Sequence, residues 1–182
     1  AIARNDFKVG IEVERSGVLE EDLRPVQYGG ARGYHAIMKK LVAEAGWEPQ
    51  GVGKDGNIFS LRRGGSSIHT EMDGRLELAS KPRRRLVNLT REYERYSSEI
   101  DSISREFGVR WVSMGWQPFA KNSEIRYAPK PRGQIMRRYF AAKHEGDAQL
   151  KKTNSVHVNF GYHSEADAIM KMQTLFAVAP VL

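Results

Sequence analysis

The stretch Ser67-Ile68-His69-Thr70-Glu71-Met72-Asp73-Gly74-Arg75-Leu76-Glu77-Leu78-Ala79 decides the architecture. Ile68, Thr70 and Met72 alternate before Asp73-Gly74, and Leu76 and Leu78 alternate after it. A period of two marks a half-buried strand, and Asp-Gly marks a turn. The segment therefore reads as a hairpin with arms Ser67–Met72 and Arg75–Ala79. A slip of one residue moves a strand's whole apolar set into water, so burial fixes the register. Both apolar sets share a face only if Thr70 opposes Leu76, and that requires a loop of odd length. The same register gathers His69, Glu71, Arg75 and Glu77 on the other face. A plain two-residue turn would separate Glu71 from Glu77 across the sheet.

Upstream, Phe7 to Glu14 also alternates and reads as a strand. Val9, Ile11 and Val13 take one face, while Glu12 and Glu14 share the other. Adjacent carboxylates on a half-buried strand repel and lose solvation. A hard divalent cation relieves both costs, because such ions prefer oxygen ligands. On this segment alone, a solvated acidic face accounts for the pair as well as a metal site does. His157 and Asn159 fall on one face of the strand Ser155–Tyr162, opposite Val156, Val158 and Phe160. His157 reads as a structural histidine or as a ligand through a neutral imidazole. Arg132, Arg137 and Arg138 lie in or beside a predicted helix, as surface charges or as forks for phosphate and carboxylate oxygens.

The remaining elements alternate in type. Residues 15 to about 30 are rich in turn formers and charge and read as a loop. Tyr34, Ile37, Met38, Leu41, Val42 and Ala45 have helical spacing, ended by Gly46. Ile58–Leu61 reads as a short strand. Leu86, Leu89, Tyr93, Tyr96, Ile100, Ile103 and Phe107 form the stripe of one long amphipathic helix. Val109–Trp116 reads as a strand and Gly133–Ala142 as a helix. Ser164 caps a last helix, with Asp167 as the acid of a capping box. This order predicts an α+β fold in a single domain, residues 1–182, with a mainly antiparallel sheet and helices on one face.

Composition narrows the function classes. The 182 residues contain no cysteine, which excludes disulfides, thiolate metal sites and cysteine nucleophiles. A cytoplasmic setting fits that usage. No apolar run approaches the ~18 residues of a membrane span. The net charge of +7 is concentrated at Arg62-Arg63, Lys81–Arg85 and Arg137-Arg138. Such clusters suit a solvated basic face or a polyanionic partner. No nucleic-acid motif accompanies them, so a nucleic-acid partner is not expected.

Five stretches, taken in order, resemble the glutamate–cysteine ligases of the plant and proteobacterial type. They are Val9-Gly10-Ile11-Glu12-Val13-Glu14, then Ser67–Leu78 with Glu71, Gly74, Glu77 and Leu78, then Met114-Gly115-Trp116-Gln117-Pro118. Ile135-Met136-Arg137 with Tyr139 comes next, followed by Val156–Asn159 with Ser164–Asp167. The resemblance implies a glutamine-synthetase-like curved sheet over bound magnesium. It implies ATP-dependent phosphorylation of the glutamate γ-carboxylate and attack by the amine of cysteine, giving γ-glutamylcysteine in glutathione synthesis. By the same resemblance Glu12, Glu14, Glu71 and Glu77 are magnesium ligands. Glu14 and Glu77 are expected on one ion, with Glu12, Glu71 and His157 on others. Arg137 stands near the transferred phosphate. Asn159 lies beside the glutamate pocket, and Met114 and Trp116 line the substrate region. Plant members carry glutamine where this chain has His157, and they use cysteines for redox control that this chain lacks. The family domain continues beyond the position of Leu182, so the chain is expected to be its N-terminal part, with a remainder that could be a separate chain. A ligase for another amine, or a non-catalytic module binding nucleotide or an acidic partner, would keep the same sequence features.

Overall fold

A computed structural model describes residues 6–140 and 146–181. Its centre is β1 (Val9–Leu19), which touches three other strands. Residues 9–13 pair with β7 (Val156–Phe160), residues 12–15 with β5 (Leu76–Ala79), and residues 16–19 with β6 (Val109–Val112). Beyond β5 lie β4 (Ser66–Thr70), β3 (Ile58–Arg63) and β2 (Glu48–Val52), giving seven strands in one sheet. Every strand pairing among the described residues is antiparallel.

The hairpin has the register that burial demands. Thr70 opposes Leu76, Ile68 opposes Leu78, and His69 opposes Glu77. The five residues between the arms form an odd loop, closed by the Glu71 amide donating to the Arg75 carbonyl at 2.8 Å. Gly74 makes the turn at φ +102°. This is a conformation that residues with a Cβ rarely adopt.

Two helices cover the apolar face: α1 (Tyr34–Glu44) and α2 (Leu86–Arg105). Ile37, Met38 and Leu41 of α1 and Tyr96, Ile100 and Ile103 of α2 pack on Leu61, Ile68, Leu76 and Leu78 of the sheet. Each such side chain, fully buried, contributes about 1.5–3 kcal/mol. The predicted stripe of α2 is thus a core face, apart from its first residue, Leu86, which is exposed.

Several boundaries differ from those expected. The strand at Glu14 runs on to Leu19, through residues that read as a loop. Gly17 permits this. A Cβ there would come within 3.1 Å of both Val109 and Val26, so any larger residue would push these neighbours back by a few tenths of an ångström. Its amide also donates to the Tyr34 hydroxyl at 2.8 Å. The strand β2 was not expected, because Glu48, Pro49 and Gln50 carry no alternating apolar pattern. It is an edge strand, where proline and register shifts are tolerated. The strand at Val109 stops at Val112 instead of Trp116. Beyond it Gln117 is buried and donates its amide to the Lys152 carbonyl at 2.8 Å, so the chain has left the sheet. Trp116 keeps one isolated bridge to Thr153.

The predicted third helix is α3 (Pro131–Phe140), and the last two residues assigned to it lie outside the described residues. A short helix, α4 (Gly146–Lys152), precedes β7 and was not expected. In α5 (Glu165–Val178) the Ser164 hydroxyl accepts from the Asp167 amide at 3.2 Å, as a cap should. The Asp167 carboxylate does not complete the box. It accepts from the His163 amide at 3.1 Å and from Lys171 at 2.7 Å. No helix among the described residues is long and apolar enough to cross a membrane.

Candidate metal centre on the carboxylate face

Residues directly opposite one another in a ladder point to the same face. Glu14 opposes Glu77, and Glu77 opposes His69 on its other side. Glu12 opposes Ala79 on one side and His157 on the other. The register therefore builds one polar face from four strands, with the helices on the reverse.

On that face carboxylate oxygens of Glu14, Glu71 and Glu77 lie within 4.8 Å of one another. Glu71 comes from the hairpin loop, and the tight turn at Gly74 brings it beside Glu77. Glu14 is the most enclosed of the three, its side chain 8% exposed. Its Oε2 accepts from the Ser155 amide at 2.9 Å and from Arg75 Nη2 at 3.5 Å. No hydrogen bond among the described residues uses its Oε1. Arg75, itself buried, also donates to Asp73 at 2.9 Å and to the Leu150 carbonyl at 3.0 Å.

Glu12 and His157 form a second, more open pair, with Nδ1 3.2 Å from the Glu12 carboxylate. Glu71 lies beside Glu14 and Glu77 in the structure.

Electrostatics favour a cation here. Burial first, and then the neighbouring Glu71, Glu12 and Glu14, push the Glu77 carboxyl up to about 7. A group whose folded pKa is raised destabilises the fold as pH rises through the interval between its unfolded and folded values. For Glu77 that window runs from the usual carboxylate range to about 7. Glu77→Gln is therefore expected to raise the melting temperature at pH 7.5 in chelator-treated buffer, with the gain fading towards pH 5. A gain equal at both pH values would show that Glu77 does not carry this strain. Three hard oxygen donors with unbalanced negative charge fit a divalent cation of the magnesium type.

Two further neighbours stand here: Lys130, which the sequence reading did not single out, and His69, which it placed on this face without a function. Lys130 donates to the Thr70 carbonyl and interacts with Glu71 and Glu77; burial lowers its pKa. Only the fold brings it there, and no local pattern announces it. His69 faces the same side as Glu77 and lies 2.7 Å from the Ser67 hydroxyl through Nε2. The hairpin register alone signals its position.

The other candidates are placed more loosely. Asn159 opposes Gly10 on the exposed β7. Met114 and Trp116 are exposed, and the Trp116 ring lies 5.3 Å from Lys152 Nζ. Arg137 is exposed on α3 and lines a pocket of about 670 Å³ with Tyr127, Asp147 and Lys151. It makes no hydrogen bond or ion pair with the carboxylate cluster among the described residues.

Comparison with known proteins gives the family of the chain. The family described as glutamate–cysteine ligase family 2 matches residues 8–182. The chain is 28% identical over 179 residues to glutamate–cysteine ligase A, chloroplastic, of Oryza sativa subsp. japonica, covering 98% of this chain and 35% of that protein. It is 28% identical over 180 residues to the chloroplastic glutamate–cysteine ligase of Brassica juncea, covering 98% and 34%. The corresponding protein of Arabidopsis thaliana is 27% identical over 179 residues, covering 98% and 33%. The chain thus spans about a third of the length of these curated relatives. With a family match across almost its whole length and an α+β antiparallel sheet carrying paired carboxylates, the chain belongs to glutamate–cysteine ligase family 2.

Proposed function

We propose that this chain supplies the metal-holding part of an ATP-dependent ligase that joins the γ-carboxylate of glutamate to the amine of cysteine. The observation that carries this reading is the convergence of Glu14, Glu71 and Glu77 in a chain of this family. In the reaction, a γ-carboxylate oxygen attacks the terminal phosphorus of ATP, and ADP leaves. The cysteine nitrogen then attacks the acyl carbon, phosphate leaves, and the nitrogen loses a proton. Magnesium bound at these carboxylates would neutralise phosphate oxygens, which is most of what phosphoryl transfer asks of a protein.

The chain's own residues have separable tasks. Glu14, Glu71 and Glu77 would hold one ion, and Glu12 with His157 a second. Arg75 and the Ser155 amide fix one oxygen of Glu14 and so orient the other. Arg137 would meet the charge that develops on the transferred phosphoryl group. Asn159, Met114 and Trp116 would contact the amino-acid substrates. Residues outside this third of the family length would complete the enclosure.

Magnesium-dependent ATP binding tests the reading. Glu14→Gln keeps the shape and removes the charge. The loss expected is at least the ~10–100-fold that even outer partners of a metal site are worth. Unchanged magnesium-dependent binding in that variant would remove the metal-site reading. In the full-length protein, ADP release that does not depend on cysteine would remove the cysteine assignment and leave the metal site standing.

A further inference from the structure

The segment before α3 is fastened to the hairpin loop. Ile125 and Ala128 are buried, and the Ala128 amide donates to the Met72 carbonyl at 2.8 Å. Two residues on, the Lys130 carbonyl accepts from the Gln134 amide at 3.3 Å, at the start of α3. The Lys130 backbone is thus held from both sides. Its ammonium donates to the Thr70 carbonyl, next to Glu71 in the chain, and lies 5.9 Å from the centre of the Phe59 ring. Phe59 is itself stacked on Tyr28. The ammonium is therefore fixed at the rim of the carboxylate face.

That position is costly unless negative charge offsets it, because an ammonium withdrawn from water needs a counter-charge. Lys130 is partly buried, and its ammonium makes one hydrogen bond and no ion pair among the described residues. Glu71, Glu77 and Asp73 attract it, and Arg132 repels it. Asp73 is already paired with Arg75 at 2.9 Å, which leaves Glu71 and Glu77 to balance Lys130. The two cations of this face therefore act differently. Arg75 takes up an oxygen of Glu14, whereas Lys130 adds positive charge and leaves the oxygens of Glu71 and Glu77 open to an ion.

Three carboxylates and one ammonium leave two negative charges, which one divalent ion cancels. Without the ammonium the same oxygens would present three, and the gain in attraction would grow with the charge of the ion. We infer that Lys130 is a specificity-determining residue of the metal centre, whose ammonium sets the charge of the face so that it takes a divalent ion and disfavours one of higher charge. The inference rests on the function proposed above, in which these carboxylates hold magnesium. A lysine that only tied Thr70 to the start of α3 would act otherwise: its loss would loosen the hairpin and weaken every ion alike.

Titration of the whole chain without nucleotide, with magnesium by calorimetry and with terbium by luminescence, tests the inference. Lys130→Gln should tighten magnesium about tenfold and terbium about thirtyfold, because the Coulomb energy scales with the charge of the ion. Lys130→Met, which keeps the aliphatic stem beside Phe59, should do the same. Lys130→Arg keeps the charge and should stay within about threefold of the unsubstituted chain for both ions. Glu14→Gln should weaken both by at least about tenfold. If the two neutral variants leave both affinities unchanged, weaken them or shift them equally, while Glu14→Gln weakens both, the role of Lys130 is overturned and the metal centre stands. If Glu14→Gln leaves both ions bound as tightly as before, the carboxylates are not the site, and the proposed function falls together with the inference.

Discussion

Replacing Arg75 with alanine is expected to cost about 3–5 kcal/mol of folding stability, the scale for removing one partner of a buried ion pair. Arg75 is 2% exposed and stands between Asp73, at 2.9 Å, and Glu14, at 3.5 Å. Removing the guanidinium leaves two carboxylates in a dry site with no cation. Burial pushes Asp73 up to about 6 even with Arg75 lowering it, so without the guanidinium it moves further up, and the loss should grow as pH rises. The Leu150 carbonyl loses its donor as well, which loosens α4 from the sheet. Lysine should recover little, because one ammonium cannot reach three acceptors arranged for a fork. Urea unfolding at pH 7.5 measures the loss. Adding Asp73→Asn to Arg75→Ala should restore part of it. A loss below about 1 kcal/mol would mean that the buried carboxylates do not depend on Arg75.

Gly74→Ala is the second large effect. At φ +102° an alanine carries about 1–2 kcal/mol of backbone strain. Its Cβ would also sit 2.8 Å from the Tyr28 Cβ, an atom fixed close to the main chain. Overpacking of that kind costs about 1–3 kcal/mol, so a total of about 2–5 kcal/mol is expected. The turn also positions Glu71 against Glu77. Metal affinity should therefore fall further than stability alone explains, a split that thermal melts with and without magnesium would read. Equal shifts of the melting temperature in both conditions would show that the loop does not shape the site.

The fold was legible wherever one face of an element had to be dry. The hairpin register followed from Ile68, Thr70, Leu76 and Leu78, because a slip would expose all of them. The α2 stripe was legible for the same reason. The second half of β1 was not, because Ser16 and Gly17 look like turn residues until Val109 and Val26 are packed against them. The edge strand β2 has no buried face to impose a pattern. The site divides in the same way. Strand parity put Glu12 with Glu14, and the hairpin register put Glu71 with Glu77. That the two pairs share one face, and that Lys130 stands beside them, could not be read, because pairing of distant segments brings them together. Arg75 was visible on the face, but its role as the clamp of Glu14 needed the third dimension.

That clamp bears on denticity. With Oε2 of Glu14 occupied by Arg75 and the Ser155 amide, the carboxylate can offer an ion only its other oxygen. Calcium gains much of its affinity from carboxylates that chelate through both oxygens, in shells of six to eight ligands at ~2.3–2.6 Å. Magnesium takes six ligands at ~2.0–2.1 Å and accepts single oxygens. An arginine that would not touch the proposed ion would thus set a coordination rule, one that favours magnesium over calcium.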